Sequence, residues 1–87
     1  MDENLKKLKM DLDAQIRKME GLDDVSREKL DKLVSYLDMK LQKPYDPANH
    51  DRLIGHLEDD IHYFEATHPD LTMVMNNMLT MLSNLGI

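Results

Sequence analysis

Four histidines recur every six residues in the second half of the chain, at His50, His56, His62 and His68. Imidazole is the side chain that most often ligates metals and moves protons near neutral pH. Their spacing is therefore the first feature to test for chemistry. Six residues turn a helix by about 240°, so the four rings do not share a face. Glu58 and Asp59 stand four and three residues before His62, a spacing that aligns carboxylate with imidazole. Di-iron bundles build on Glu-x-x-His repeated on two helices, with further inward glutamates. Here such an element occurs once and points away from the neighbouring apolar stripe. The reading is a solvent-facing histidine beside acids. A metal- or small-ligand-binding bundle using Glu58, Asp59 and His62 is the alternative, and no cofactor is expected.

His56, Asp60 and Tyr63 line one edge of the same segment. A histidine four residues before an aspartate can act as a general base. No serine or cysteine nucleophile is evidently placed beside it, so an ordinary edge ion pair is expected. His50 falls in line with the apolar stripe and reads as a partly buried boundary residue. His68 precedes Pro69 at a tight junction, where helix ends leave backbone groups to satisfy. Its ring is expected to bond a free carbonyl or cap, with Glu65 fixing its tautomer. Thr67 and Asp70 have the spacing of a capping box. With no nucleophile–base–oxyanion set in view, the chain reads as non-enzymatic.

These residues sit on elements whose limits are punctuated. Leu5, Leu8, Leu12, Ile16 and Met19 recur at three and four, predicting a helix over about 3–20 with a stripe about 80° wide. So narrow a stripe is that of a coiled-coil seam. Gly21 is its left-handed stop. A second helix is predicted over about 24–42, with Asp24 or Ser26 as cap and Leu30, Leu33, Val34, Leu37 and Leu41 inward. Lys40 and Lys43 suit its C-terminal dipole, and Pro44 ends it. Asp46 followed by Pro47 is a start signal for a third helix to about Ala66, with Leu53, Ile54, Leu57, Ile61 and Phe64 inward. Gly55 lies on its polar side without a visible reason. The fourth helix is predicted over about 70–85, with Gly86 as terminator. Four such helices on short connections predict an all-α antiparallel bundle of two hairpins. The first hairpin should be a coiled-coil-like arm, with the core concentrated around the other two helices.

The fourth helix differs from the rest. Leu71, Val74, Met75, Met78, Leu79, Met81, Leu82 and Leu85 span an arc of about 160°, wider than one neighbour covers. No charged residue occurs from Leu71 to Ile87, although charged residues make up 32% of the chain. The helix is therefore expected to be central and touched on most sides. Two arrangements fit: the middle of a monomeric core, or pairing with a second copy. The expected interaction surface is Leu71, Val74, Met75, Met78, Met81, Leu82 and Leu85. The expected partner is a second copy or another protein.

Length and composition bound the rest. The 87 residues make one domain, 1–87, with a thin core burying roughly 60–65% of the unfolded surface. With no cysteine, disulfides and thiolate metal sites are excluded. The net charge of −6 disfavours nucleic acid. No stretch resembles a signal peptide or reaches the roughly 20 apolar residues of a membrane span. A soluble, cytoplasmic protein is expected.

Phe64-Glu65-Ala66-Thr67-His68-Pro69-Asp70-Leu71 and the closing Leu82-Ser83-Asn84-Leu85-Gly86-Ile87 carry a pattern, F-E-x-x-H-P-x-L and then L-x-N-[LM]-G-I. In this pattern the chain resembles the short bacterial proteins grouped as domain of unknown function 4404. The resemblance implies a helical, cytoplasmic, bacterial protein with no assigned activity. It marks Glu65, His68, Pro69, Asn84 and Gly86 as a family signature, and the first three together with Thr67 form the expected helix-junction signature.

Overall fold

The computed structural model describes residues 2–85, and the side chains of residues 3–84. Four helices follow one another: α1 (Asp2–Lys18), α2 (Asp24–Gln42), α3 (Pro47–Phe64) and α4 (Pro69–Leu85). Gly86, expected to terminate α4, lies outside the described residues, as does the Leu85 side chain.

The ends of the helices follow local chemistry. Gly21, between α1 and α2, takes φ 66°, the left-handed geometry that only glycine adopts cheaply. α2 is capped by Asp23, whose Oδ1 accepts the Ser26 N–H at 2.7 Å. That bond holds the Asp23 carboxyl below its usual range. Neither Asp24 nor Ser26 is the cap. Asp23 alone precedes the first turn in extended geometry, which lets its carboxylate fold back onto the free amides. α3 starts as expected, with Asp46 Oδ1 accepting from Ala48 and Asn49 and Pro47 in the first turn. It stops at Phe64, earlier than expected, because Thr67 and His68 turn their amides back onto the Phe64 carbonyl.

The helices form a square. α1 packs on α2 and α4, and α3 packs on α2 and α4, leaving the diagonal pairs apart. Connections this short force each helix antiparallel to the next, and lengths of 17–19 residues let all four share one core. Every helix contributes to that core: Leu5 and Leu12 from α1, Leu30, Leu33 and Leu37 from α2, Leu53, Leu57 and Phe64 from α3, and Leu71, Met75, Met78 and Leu82 from α4.

This layout corrects two expectations. The first hairpin is not an arm beside a core made by the last two helices, since its leucines belong to the common cluster. α4 is not central either. It occupies a corner between α1 and α3, with Met73, Asn76, Asn77, Thr80, Ser83 and Asn84 exposed on its outer side. A corner helix faces two neighbours at a wide angle, and that absorbs a broad apolar arc without enclosing the helix.

Gly55 is exposed in the middle of α3, and a Cβ placed there meets no atom within 4 Å. Neither a turn nor a close approach needs it. Gly55→Ala should therefore stabilise the fold by about 1 kcal/mol, the helix-propensity difference. Thermal unfolding followed by circular dichroism checks this, and a melting temperature that fails to rise contradicts it.

Candidate functional site

Three regions hold the residues singled out from the sequence. The first is α4. Leu71, Met75, Met78 and Leu82 are buried in the chain's own core, and Val74 and Met81 are half-buried. In this fold the centre of the expected interaction surface is thus already covered, by α1 and α3. What α4 offers outward is its other side, where Met73 is 62% exposed among asparagine, threonine and serine.

The second region is the His68–Pro69 corner. The Thr67 hydroxyl lies 2.9 Å from His68 Nδ1 and 3.5 Å from the Phe64 carbonyl oxygen. The imidazole stands edge-on to the Phe64 ring, with 5.8 Å between centroids. Thr67 therefore serves the end of α3 and does not cap α4. α4 begins instead from the His68 carbonyl, which accepts the Thr72 N–H at 3.1 Å, while the Thr72 hydroxyl donates to the Pro69 carbonyl. Glu65 is exposed and forms no bond with His68, so it does not set the tautomer. Pro69 is the first residue of α4, where its missing N–H costs nothing. An open cleft of about 360 Å³ runs from Gly21 and Asp23 past Ser26 and Tyr63 to His68. A second, of about 320 Å³, lies between Lys18 and Asp70 on the other side of the imidazole.

The third region is a polar seam between α2 and α3, and it holds most of the buried polar residues. At one end the Ser26 hydroxyl reaches the Tyr63 hydroxyl at 3.5 Å, and the Lys29 ammonium lies 4.8 Å from the Tyr63 ring centroid. In the middle His56 Nε2 donates to the Lys29 carbonyl at 3.0 Å, while the Tyr36 ring meets the imidazole edge-on. Further along, Asn49 Nδ2 donates to the Tyr36 carbonyl at 3.3 Å. At the far end the buried Lys40 ammonium donates to the Pro44 carbonyl at 2.7 Å and to His50 Nδ1 at 2.9 Å. An imidazole that accepts at Nδ1 is neutral, and burial together with Lys40 lowers the His50 pKa from its ordinary 6.5. Lys40 thus does more than answer the dipole of α2. It ties the Pro44 turn to α3.

Asp60 is the member of the seam that the sequence reading misplaced. It is 0% exposed, not an edge residue, and the ion-pair distance from His56 Nε2 to its Oδ2 is 3.4 Å. Among the described residues neither carboxylate oxygen has a hydrogen-bond donor. Burial raises its pKa to about 6, opposed by His56 and Lys29. The one signal that could have found it is helical register: Asn49, Leu53, Asp60 and Phe64 all fall close to one line.

Glu58, Asp59 and His62 are all exposed. Among the described residues no group of three or more His, Asp or Glu side chains converges as metal ligands would. No described helix is long and apolar enough to cross a membrane.

A family model described as a domain of unknown function, DUF4404, matches residues 1–87. No curated protein and no solved structure matches the chain.

Proposed function

The chain belongs to the DUF4404 family, and we propose that it is a non-enzymatic helical interaction module that self-associates through the outer face of α4. One observation carries this reading. In a chain with a net charge of −6, the outer face of α4 carries no charged side chain from Leu71 to Asn84, the exposed Asp70 of its first turn being the last charge before it. Solvated helix faces ordinarily carry Lys, Arg, Asp and Glu, as the outer faces of α1, α2 and α3 do here. Two copies of an acidic protein repel one another. A neutral face is where they can meet without opposing like charges.

The spacing supports a helix as the occupant. Val74, Asn77, Met81 and Asn84 recur at three, four and three along the outer flank. This is the a/d rhythm by which one helix lies along another. Asparagine at such positions sets register at a cost in affinity, so the pairing is weak and reversible. The Met/Leu stripe expected to make the contact serves the core instead, and its half-buried border, Val74 and Met81, joins the new face.

Light scattering over a concentration series tests the reading. The mass should rise with concentration, and Asn77→Lys and Asn77→Glu should each shift the midpoint upward at least tenfold, because like charges then meet across a two-fold axis. Asn77→Lys makes the net charge less negative, so its dissociating effect separates a local clash from general repulsion. A mass that stays monomeric at every concentration, or an association untouched by both substitutions, would overturn the proposal.

A further inference from the structure

Beyond that outer face, the core holds a charge-bearing group that accepts no hydrogen bond among the described residues. Ser26, Lys40, Asn49 and Asp60 are buried polar residues of α2 and α3. The first three bond across the seam or to the turn beside it. Asp60 does not, since no donor reaches either of its oxygens. His56 Nε2, at 3.4 Å, is occupied by the Lys29 carbonyl. We infer that Asp60, with His56 beside it, is a proton-operated latch between α2 and α3, closed when the carboxyl is protonated and loosened when it ionises.

The surroundings decide the direction. The ionisable groups that face Asp60 are His56 and Asp59 on its own helix and Lys29 on α2. Lys29 places its ammonium over the Tyr63 ring and makes no salt bridge to the carboxylate. α4, the other helix packed on α3, has no ionisable side chain from Leu71 to Leu85. Among the described residues the backbones of α1 and α3 make no close approach. Protonated, the carboxyl lacks only a hydrogen bond. Ionised, it is a buried charge that no hydrogen-bond donor satisfies, and such a charge draws in water or forces its neighbours apart. The polar edge toward Lys29 and His56 borders a cleft of about 220 Å³ between Val25, Lys32 and His56, and that is the side from which water would approach once the carboxyl ionises. Deprotonation therefore loosens α2 from α3 and leaves the α1–α4 side of the square packed.

Burial pushes the Asp60 carboxyl up to about 6, inside the range through which cellular compartments vary. His50, at the far end of the seam, works the other way. Its folded form resists a proton, so its contribution is lost as pH falls below 6.5. The diagnostic quantity is therefore the difference between the wild-type chain and Asp60→Asn, in which His50 cancels.

Two measurements on the full chain test the latch. The side-chain carboxyl carbon-13 shift follows Asp60 in the unmodified protein. A midpoint near 6 is expected, and one at the ordinary 3.8 overturns the inference. Amide-exchange protection factors, measured between pH 5 and 8, follow the seam. Protection in α2 and α3 should fall several-fold with rising pH relative to α1 and α4, and this pH-dependent loss should vanish in Asp60→Asn. Protection that falls evenly over all four helices, or that falls equally in the variant, overturns it. If Asp60→Asn does not fold, Asp60→Leu serves as the comparison, with the same two outcomes.

Discussion

Leu82→Asp is expected to unfold the chain outright. Leu82 is 0% exposed and belongs to the cluster shared by all four helices. Removing a buried leucine side chain costs about 2–5 kcal/mol. An aspartate in its place adds the cost of burying a carboxylate without a partner, several kcal/mol more. A domain of this size has about 5–15 kcal/mol in total, and a thin core puts it toward the lower end. Circular dichroism should show loss of helical signal at 25 °C, while Leu82→Met keeps it. A folded Leu82→Asp with an altered solution mass would mean that Leu82 lies at a contact between copies and not in the chain's own core. The contrast with Asn77→Glu, which should stay folded and lose only association, separates the two sides of α4.

The pattern of α4 alone did not distinguish those outcomes. The arc of apolar side chains reports how much surface must be covered and not which element covers it. At the corner of a square, α1 and α3 together cover it. The absence of charge on the outer side is the part of the sequence signal that the fold leaves unexplained, and it carries the functional reading. Other features were legible because a single local interaction decides them. The all-α class, the four helices, the left-handed Gly21 and the Asp46–Pro47 start each follow from spacing or from one backbone requirement. The cap of α2 was missed because Asp23, Asp24 and Ser26 all have capping side chains, and only the entry geometry of the backbone selects among them. The orientation of α3 was missed for a different reason. Ile54 and Ile61 pull the averaged apolar direction away from Asn49 and Asp60, yet the packing leaves both isoleucines half-buried and takes the two polar residues inside. Averaged hydrophobicity cannot foresee that, because the α2 side of α3 supplies polar partners for most of what is buried there.

Asp60→Leu should make the protein more stable at pH 8 and leave it close to the wild type at pH 4. The sign follows from the raised folded pKa. Between 3.8 and about 6 the folded chain binds a proton that the unfolded chain has released. The resulting stabilisation is complete below 3.8 and lost as pH rises through about 6. A difference of about two pKa units corresponds to about 3 kcal/mol at pH 8. Leucine removes the charge, and an apolar replacement of a buried charge is often stabilising, although leucine is larger than aspartate and fitting it into a closed position takes back part of the gain. At roughly 4–8 °C per kcal/mol for a domain of this length, the melting temperature at pH 8 should rise by several degrees. A rise of the same size at both pH values would assign the gain to packing alone and remove the buried charge as its cause. A fall at pH 8 would mean that the seam depends on the carboxylate for a contact it makes only when ionised. Relative to Asp60→Leu, a comparison in which His50 cancels, the wild-type chain should lose stability as pH rises from about 3.8 through about 6. That trend runs opposite to acid denaturation, and a single buried aspartate suffices to produce it.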